Sequence, residues 1–294
     1  MRFDRVIIAD WSAASARTPA RPSADAIWLG SIDATSAQSS YHRSRADAEA
    51  ALVAAIKRAV AGGDSLLIGC DFPMGYPKGF AARLTGVARA SSVWAWLARQ
   101  IKDGADNRNN RFEVAAAINR HFAAAASPAP FSSSPSSSGP FWGRPAQLNL
   151  PDLPATKSIT YKALGLSERR DVEAIIPRAQ PVWKLYTTGA AGSQGLIGQP
   201  MIHRLSHLPH VAVWPFDPPA QITLAEVYPS LIASAVAADP GAIKDEAQVR
   251  LLAKALFTLS QRGQLGALLD APACAEEGWI LGAAQIDLLQ AALR

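Results

Sequence analysis

Cysteine is nearly missing from this chain. Its two copies among 294 residues, Cys70 and Cys274, have no spacing that suits a metal site or a disulfide framework. A structural zinc is therefore not expected, and both thiols read as small reduced residues. Long apolar runs are missing too: no stretch of 18 uncharged apolar residues occurs, so no transmembrane helix and no membrane partner are expected. Near the start, Arg2, Asp4 and Arg5 stand where a signal peptide would be apolar, which points to the cytoplasm. The five histidines, His42, His121, His203, His207 and His210, show no ligand spacing. Neither a P-loop nor a GxGxxG fingerprint is present, so Thr187 to Gly195 carries no standard nucleotide signature. Its small residues still let backbone N–H groups approach a phosphate, and Ser193 suits a cap for the helix that follows.

Apolar residues, in contrast, are plentiful. A hydrophobic content of 49% supports a full core and one domain over residues 1–294. Val6-Ile7-Ile8 reads as a strand buried on both faces, and Asp10 closes it before a polar turn. Leu66 to Ile68 repeats the arrangement and ends at Asp71. In open α/β sheets ligands gather outside the carboxyl ends of strands, where both acids then lie. If the two strands are parallel neighbours, the carboxylates face each other within a few ångströms, and they repel unless a proton or a metal lies between them. Between them the pattern predicts a strand over 26–32, a weakly marked one around 40–42, and a helix over 45–60 ended by Gly62-Gly63. Further on, Val211 to Phe216 and Ile222 to Pro229 resume strand character, and Glu226 is a third acid at the end of an apolar run. A helix over 245–256 carries Asp245 and Glu246 in its first turn, placed either to stabilise the helix dipole or to reach across to the strand ends.

Charge divides along the chain. The net charge is +5, but residues 77–200 hold 15 Lys and Arg against 7 Asp and Glu, while the remainder holds 14 against 17. That basic stretch reads as a helical and loop insertion, with helices over 88–102 and 111–126. Arg108, Arg111, Arg120 and Lys184 are its candidate phosphate-holding residues, and Trp142 is a candidate for stacking on a base. Residues 127–145 are rich in Ser and Pro and read as a mobile loop whose aromatic end docks. A basic region beside acids at strand ends suits nucleic acid or another phosphate-bearing substrate.

Several short stretches carry a resemblance: Asp10-Trp11-Ser12, Asp71-Phe72-Pro73-Met74-Gly75, Asn110-Arg111-Phe112-Glu113, Gly139-Pro140-Phe141-Trp142-Gly143, Val213-Trp214-Pro215-Phe216, Glu226-Val227-Tyr228-Pro229 and Glu277-Gly278-Trp279-Ile280. Together they resemble an uncharacterised bacterial family of predicted ribonuclease H-like nucleases. The resemblance implies an α/β fold with a ribonuclease H-like mixed sheet, first strands antiparallel and later strands parallel, with flanking helices. It matches Asp10 to the first-strand acid, Asp71 to the fourth-strand acid and Asp245 to the acid of a late helix. A fourth acid would come from Glu226, Glu246 or Glu49; Glu49 lies early in the first helix, where ribonucleases H place a Glu. Some similar proteins carry a label linking them to molybdopterin guanine dinucleotide synthesis, which no residue here supports.

The leading expectation is metal-dependent hydrolysis of a phosphodiester. Asp10, Asp71 and Asp245 would hold Mg²⁺ or Mn²⁺, with Glu226 a further catalytic candidate, because hard carboxylate oxygens suit those ions. Two alternatives keep the fold. One is an actin-like or sugar-kinase-like phosphotransferase with Gly189 to Gly195 as its nucleotide loop. The other is a non-catalytic nucleotide- or nucleic-acid-binding protein whose acids serve structure.

Overall fold

Alternation within the strands decides which way each terminal acid points. The computed structural model describes residues 1–126, 139–176, 178–241, 243–272 and 275–294; most of the serine-rich stretch read as a mobile loop, and Cys274, lie outside them. Strand β1 (Arg5–Asp10) is buried along nearly its whole length, as a run covered on both sides must be. After β2 (Ile27–Asp33) and β3 (Ala37–His42), helix α1 (Arg45–Gly62) returns the chain to β4 (Leu66–Asp71). Both ends of α1 follow local chemistry: the Ser44 hydroxyl accepts from the Asp47 N–H at 3.2 Å, and Gly63 takes the left-handed conformation (φ 73°) that closes the last turn. Between β4 and the last two strands lie α2 (Phe80–Thr85), α3 (Ala90–Gln100), α4 (Arg111–Ala126), α5 (Asp171–Ile175) and α6 (Ala191–Ser206). Then come β5 (Val211–Trp214), β6 (Ile222–Glu226), α7 (Ala233–Ala237), α8 (Lys244–Gln261) and α9 (Ile286–Ala291).

The strands form one sheet in the order β3-β2-β1-β4-β6-β5. β2 runs antiparallel to β1 and β3, whereas β1, β4, β6 and β5 are mutually parallel. This is a six-stranded mixed α/β sheet, antiparallel first and parallel later. Its two faces are covered by different helices. Val6, Ile8, Leu67 and Ala225 pack with the core of α8, while Ile7, Ala9, Ile68, Cys70 and Leu224 pack with α1 and with Met201, Ile202 and Leu205 of α6. Successive side chains of a strand point to opposite faces. Asp10 therefore shares the face of Val6 and Ile8, and Asp71 shares that of Leu67, the face that α8 crosses. No helix among the described residues is long and apolar enough to cross a membrane.

The insertion has a core of its own, built on stacked aromatics. Tyr76 lies 5.4 Å from Trp183 and Phe80 lies 5.3 Å from Phe122, centroid to centroid, with Phe141 edge-on to Phe80 and Trp183. Such pairs add packing specificity to the burial of large apolar surfaces.

Close seating of α8 on the sheet is what brings its first turn to the strand ends. At Gly30 of β2 a Cβ would stand 2.6 Å from both the carbonyl carbon and the carbonyl oxygen of Val249, so the two backbones touch there. Gly30→Ala is expected to lower stability by about 1–3 kcal/mol through overpacking. Urea unfolding checks this; an unchanged midpoint would mean that α8 is seated differently.

Candidate active site at the strand ends

Register pairs the two strand-end aspartates directly. Asp10 of β1 is the partner of Asp71 of β4, in parallel strands and on one face. Both are desolvated. Burial, and after it the Asp71 charge and then those of Asp245 and Asp25, holds the Asp10 carboxyl well above the ordinary carboxylate value. Asp71 is pushed up to about 7 by burial, with Glu226 and Asp245 adding repulsion. Among the described residues no Lys or Arg forms an ion pair with either carboxylate. Desolvated acids crowded by other carboxylates hold their protons more tightly until a proton or a metal relieves the repulsion.

Asp245 arrives from the first turn of α8, on the same face. Its Oδ2 accepts the backbone N–H of Asp25 at 2.6 Å, and burial raises its pKa against that hydrogen bond. Asp25 was not legible as a site residue, yet topology explains it. Because β2 runs antiparallel to β1, with Trp28 opposite Asp10, the residues just before β2 lie beside the end of β1. Asp10, Asp25, Asp245 and Gln194 line one open pocket of about 200 Å³. A second cavity of about 320 Å³ shares Gln194 with it and is lined by Asp71, Glu226, Arg170, Lys244 and Thr188 among others. Gln194 is fixed there by donating its Nε2–H to the Trp11 carbonyl at 2.7 Å.

Glu226 behaves differently from the two aspartates, and its register gives the reason. Its partner on β4 is Cys70, not Asp71, so the pleat turns it away from the α8 face. Its carboxylate is fully engaged: it accepts from the Arg170 guanidinium at 2.6 and 2.8 Å and from the Met74 N–H at 2.9 Å. Arg170, 1% exposed, also binds Glu173 at 2.8 Å and the Glu277 carbonyl at 3.0 Å. Burial alone would lower the Arg170 pKa, and the adjacent Glu226 and Glu173 carboxylates hold it above its usual value instead. The segment Arg169-Arg170-Asp171 contained this anchor, but nothing in its spacing distinguished a buried arginine from a solvated one.

The other two acids considered for the cluster are engaged elsewhere. Glu246 accepts from the Ser39 hydroxyl at 2.7 Å and pairs with Arg250 at 3.3 Å. Glu49 pairs with Arg204 at 2.6 Å on the α1–α6 side. Glu49→Gln is accordingly expected to change any phosphodiesterase activity by less than about twofold and stability by less than about 1 kcal/mol. A steady-state assay beside a thermal melt checks it, and a large loss of activity would put Glu49 back at the site.

The basic candidates are spread widely. Arg108, 84% exposed in its side chain, pairs with Asp106, and Arg120 pairs with Asp152. Arg111 is buried against the start of α6: its Nε donates to the Ser193 hydroxyl at 2.9 Å and its NH1 to the Ser15 hydroxyl at 2.9 Å. Burial, with Arg45 nearby, lowers its pKa to about 10. Ser193 does not cap α6, which begins at Ala191; its hydroxyl donates to the Leu185 carbonyl at 2.5 Å. Lys184 donates to the Thr188 carbonyl at 2.6 Å and lies 6.0 Å from the centre of the Trp142 ring, so these two candidates meet each other. None of the six lines the two cavities at the strand ends. Lys244 does line one of them, and nothing in its sequence context sets it apart from a solvated lysine.

Among the described residues no three acidic, histidine or cysteine side chains already surround one point as a metal cage. What stands assembled is the Asp10–Asp71 pair, with Asp245 and Asp25 at its edge. Compared with family models, curated proteins and solved structures, the chain matches none.

Proposed function

We propose that the protein is a metal-dependent hydrolase of phosphodiester bonds in nucleic acid, with Asp10 and Asp71 as its central carboxylates. One observation carries this reading: a buried and a half-buried aspartate stand in register on adjacent parallel strands, line neighbouring cavities, and among the described residues make no ion pair. The sheet order and the antiparallel-then-parallel pattern support a ribonuclease H-like fold for it.

The donor set fits Mg²⁺ or Mn²⁺. Magnesium usually keeps several waters and takes one or two carboxylates plus substrate phosphate oxygens, which suits a pair better than a closed protein cage. Asp10 and Asp71 would hold the ion, and Asp245, kept in place by the Asp25 N–H, adds negative charge beside them. Bound there, such an ion supplies a water of lowered pKa and charge neutralisation on the phosphate. The chain's own residues do the rest: Lys244 draws the anionic backbone into the cleft, and Gln194 offers its amide at the junction of the two cavities. The Arg170 anchor ties the insertion to the end of β6 and so positions one wall of the cleft.

Single-stranded, duplex, hybrid and branched substrates with Mn²⁺ test this. Cleavage is expected on at least one, lost about a thousandfold in Asp10→Asn, equivalent to roughly 4 kcal/mol of transition-state stabilisation. No cleavage anywhere, or cleavage untouched by the substitution, would end the proposal.

A phosphotransferase is the second reading, favoured by one feature: Thr188, Gly189 and Ala191 line the cavity that holds Asp71. ATP raising the melting temperature in Mg²⁺, with transfer of its terminal phosphate, would select it.

A further inference from the structure

The cleft does not stop at Asp71. Its cavity shares Tyr228 and Ser230 with a further cavity of about 380 Å³, whose remaining walls include Ile175, Ile176, Leu231 and Ile286. Gln194 is a wall common to the same cavity and the acidic pocket of Asp10, Asp25 and Asp245. Three cavities with shared walls thus follow one another from the acids of the strand ends, by way of Lys244, to an apolar end rimmed by Arg178. Lys244 and Arg178 are both exposed, and neither makes an ion pair among the described residues. Between the two cavities the Tyr228 ring is held in place, because its hydroxyl donates to the Arg178 carbonyl at 3.1 Å. Ile175 stays 49% exposed at the apolar end, an uncovered surface of the kind that small-molecule groups bury.

Acid pair, ammonium, aromatic ring, apolar wall and guanidinium is the order of chemistry that a nucleotide presents in complement: metal-bound phosphate, sugar, then a flat base. We propose that the pocket formed by Ile176, Tyr228, Leu231 and Ile286 is a base subsite, taking the nucleobase next to the reacting phosphate. This rests on the hydrolase reading above and extends it to a substrate class. The volume lies near the lower limit of pockets that enclose a small ligand, room for one nucleoside and not for a paired helix. The substrate is therefore a strand end or an unpaired nucleotide, and because stacking engages a π-face that every base has, the subsite tolerates any base.

Calorimetric titration of the full-length protein with adenosine 5′-monophosphate and with ribose 5-phosphate, both in Ca²⁺, tests the subsite. The two probes share the phosphate and the sugar and differ in the base. The nucleotide is expected to bind at least roughly tenfold tighter, the contribution of one stacked base. Ser234→Trp fills the apolar cavity from an exposed position on its wall and should bring the nucleotide down to the affinity of ribose 5-phosphate; Ala233→Trp is the second filling variant. Lys244→Gln should weaken both probes by the same factor. Equal affinity of the two probes, no binding of either, or a preference that survives both filling variants overturns the subsite. The hydrolase reading fails separately, by loss of Mn²⁺-dependent cleavage or its indifference to Asp10→Asn, so equal affinities with cleavage intact reject the base pocket alone.

Discussion

Asp71→Asn is expected to make the metal-free protein more stable at pH 8, not less. The folded-state pKa of Asp71 is raised from 3.8 to about 7 by burial, with Glu226 and Asp245 adding repulsion. A carboxyl with a raised folded pKa binds its proton more tightly in the folded chain than in the unfolded one. Its contribution to stability is therefore present at low pH, fades as pH rises from about 4 towards 7, and is gone above that. The difference between the two pKa values amounts to roughly 4 kcal/mol at full ionisation. Asparagine keeps the shape and removes the charge, so the variant recovers part of this at pH 8 and gains nothing at pH 4. Mg²⁺ should raise the melting temperature of the wild type and leave that of the variant unchanged. Thermal melts from pH 4 to 8, with and without Mg²⁺, measure all of this; a variant less stable at every pH would show that the carboxylate serves structure.

The second large effect comes from the other half of the site. Arg170→Met should destabilise the protein by about 3–5 kcal/mol, because it leaves Glu173 and Glu226 as buried charges without their partner. Replacing both acids with Gln in the same background should return much of the loss, since a neutral network needs no guanidinium. Chemical denaturation of the single and triple variants separates the two contributions. A loss below about 1 kcal/mol in the single variant would mean that the network is open to water.

The contrast between these two halves explains what could be read in advance. The strand–acid repeat placed Asp10 and Asp71 correctly at strand ends because both the apolar run and the turn after it are local signals. Asp245 is legible only as an acid in the first turn of a helix, and the seating of α8 on the sheet is what carries that turn to the strand ends. Glu226 carried the same local signature, yet its register with Cys70 turns it to the other side, and register is a property of two strands that neither one contains. The arginines of the insertion were equally opaque. Arg108 and Arg120 lie on the surface beside acids, while Arg45, never singled out, is buried with its guanidinium on Asp103, the Ser12 and Ala14 carbonyls and the Asn107 carbonyl. Composition says how many cations exist; only packing says which of them face a ligand. Asp25 and Lys244 entered the site for a similar reason, one through an antiparallel return and the other through the docking angle of α8.

The hydrolase proposal depends on Asp10 and Asp71 holding a divalent ion. Anomalous diffraction from a crystal soaked in Mn²⁺ measures that directly. A manganese peak beside the two carboxylates is expected, absent from crystals of Asp71→Asn; a wild-type crystal with no peak there, or with manganese bound only elsewhere, contradicts the proposal.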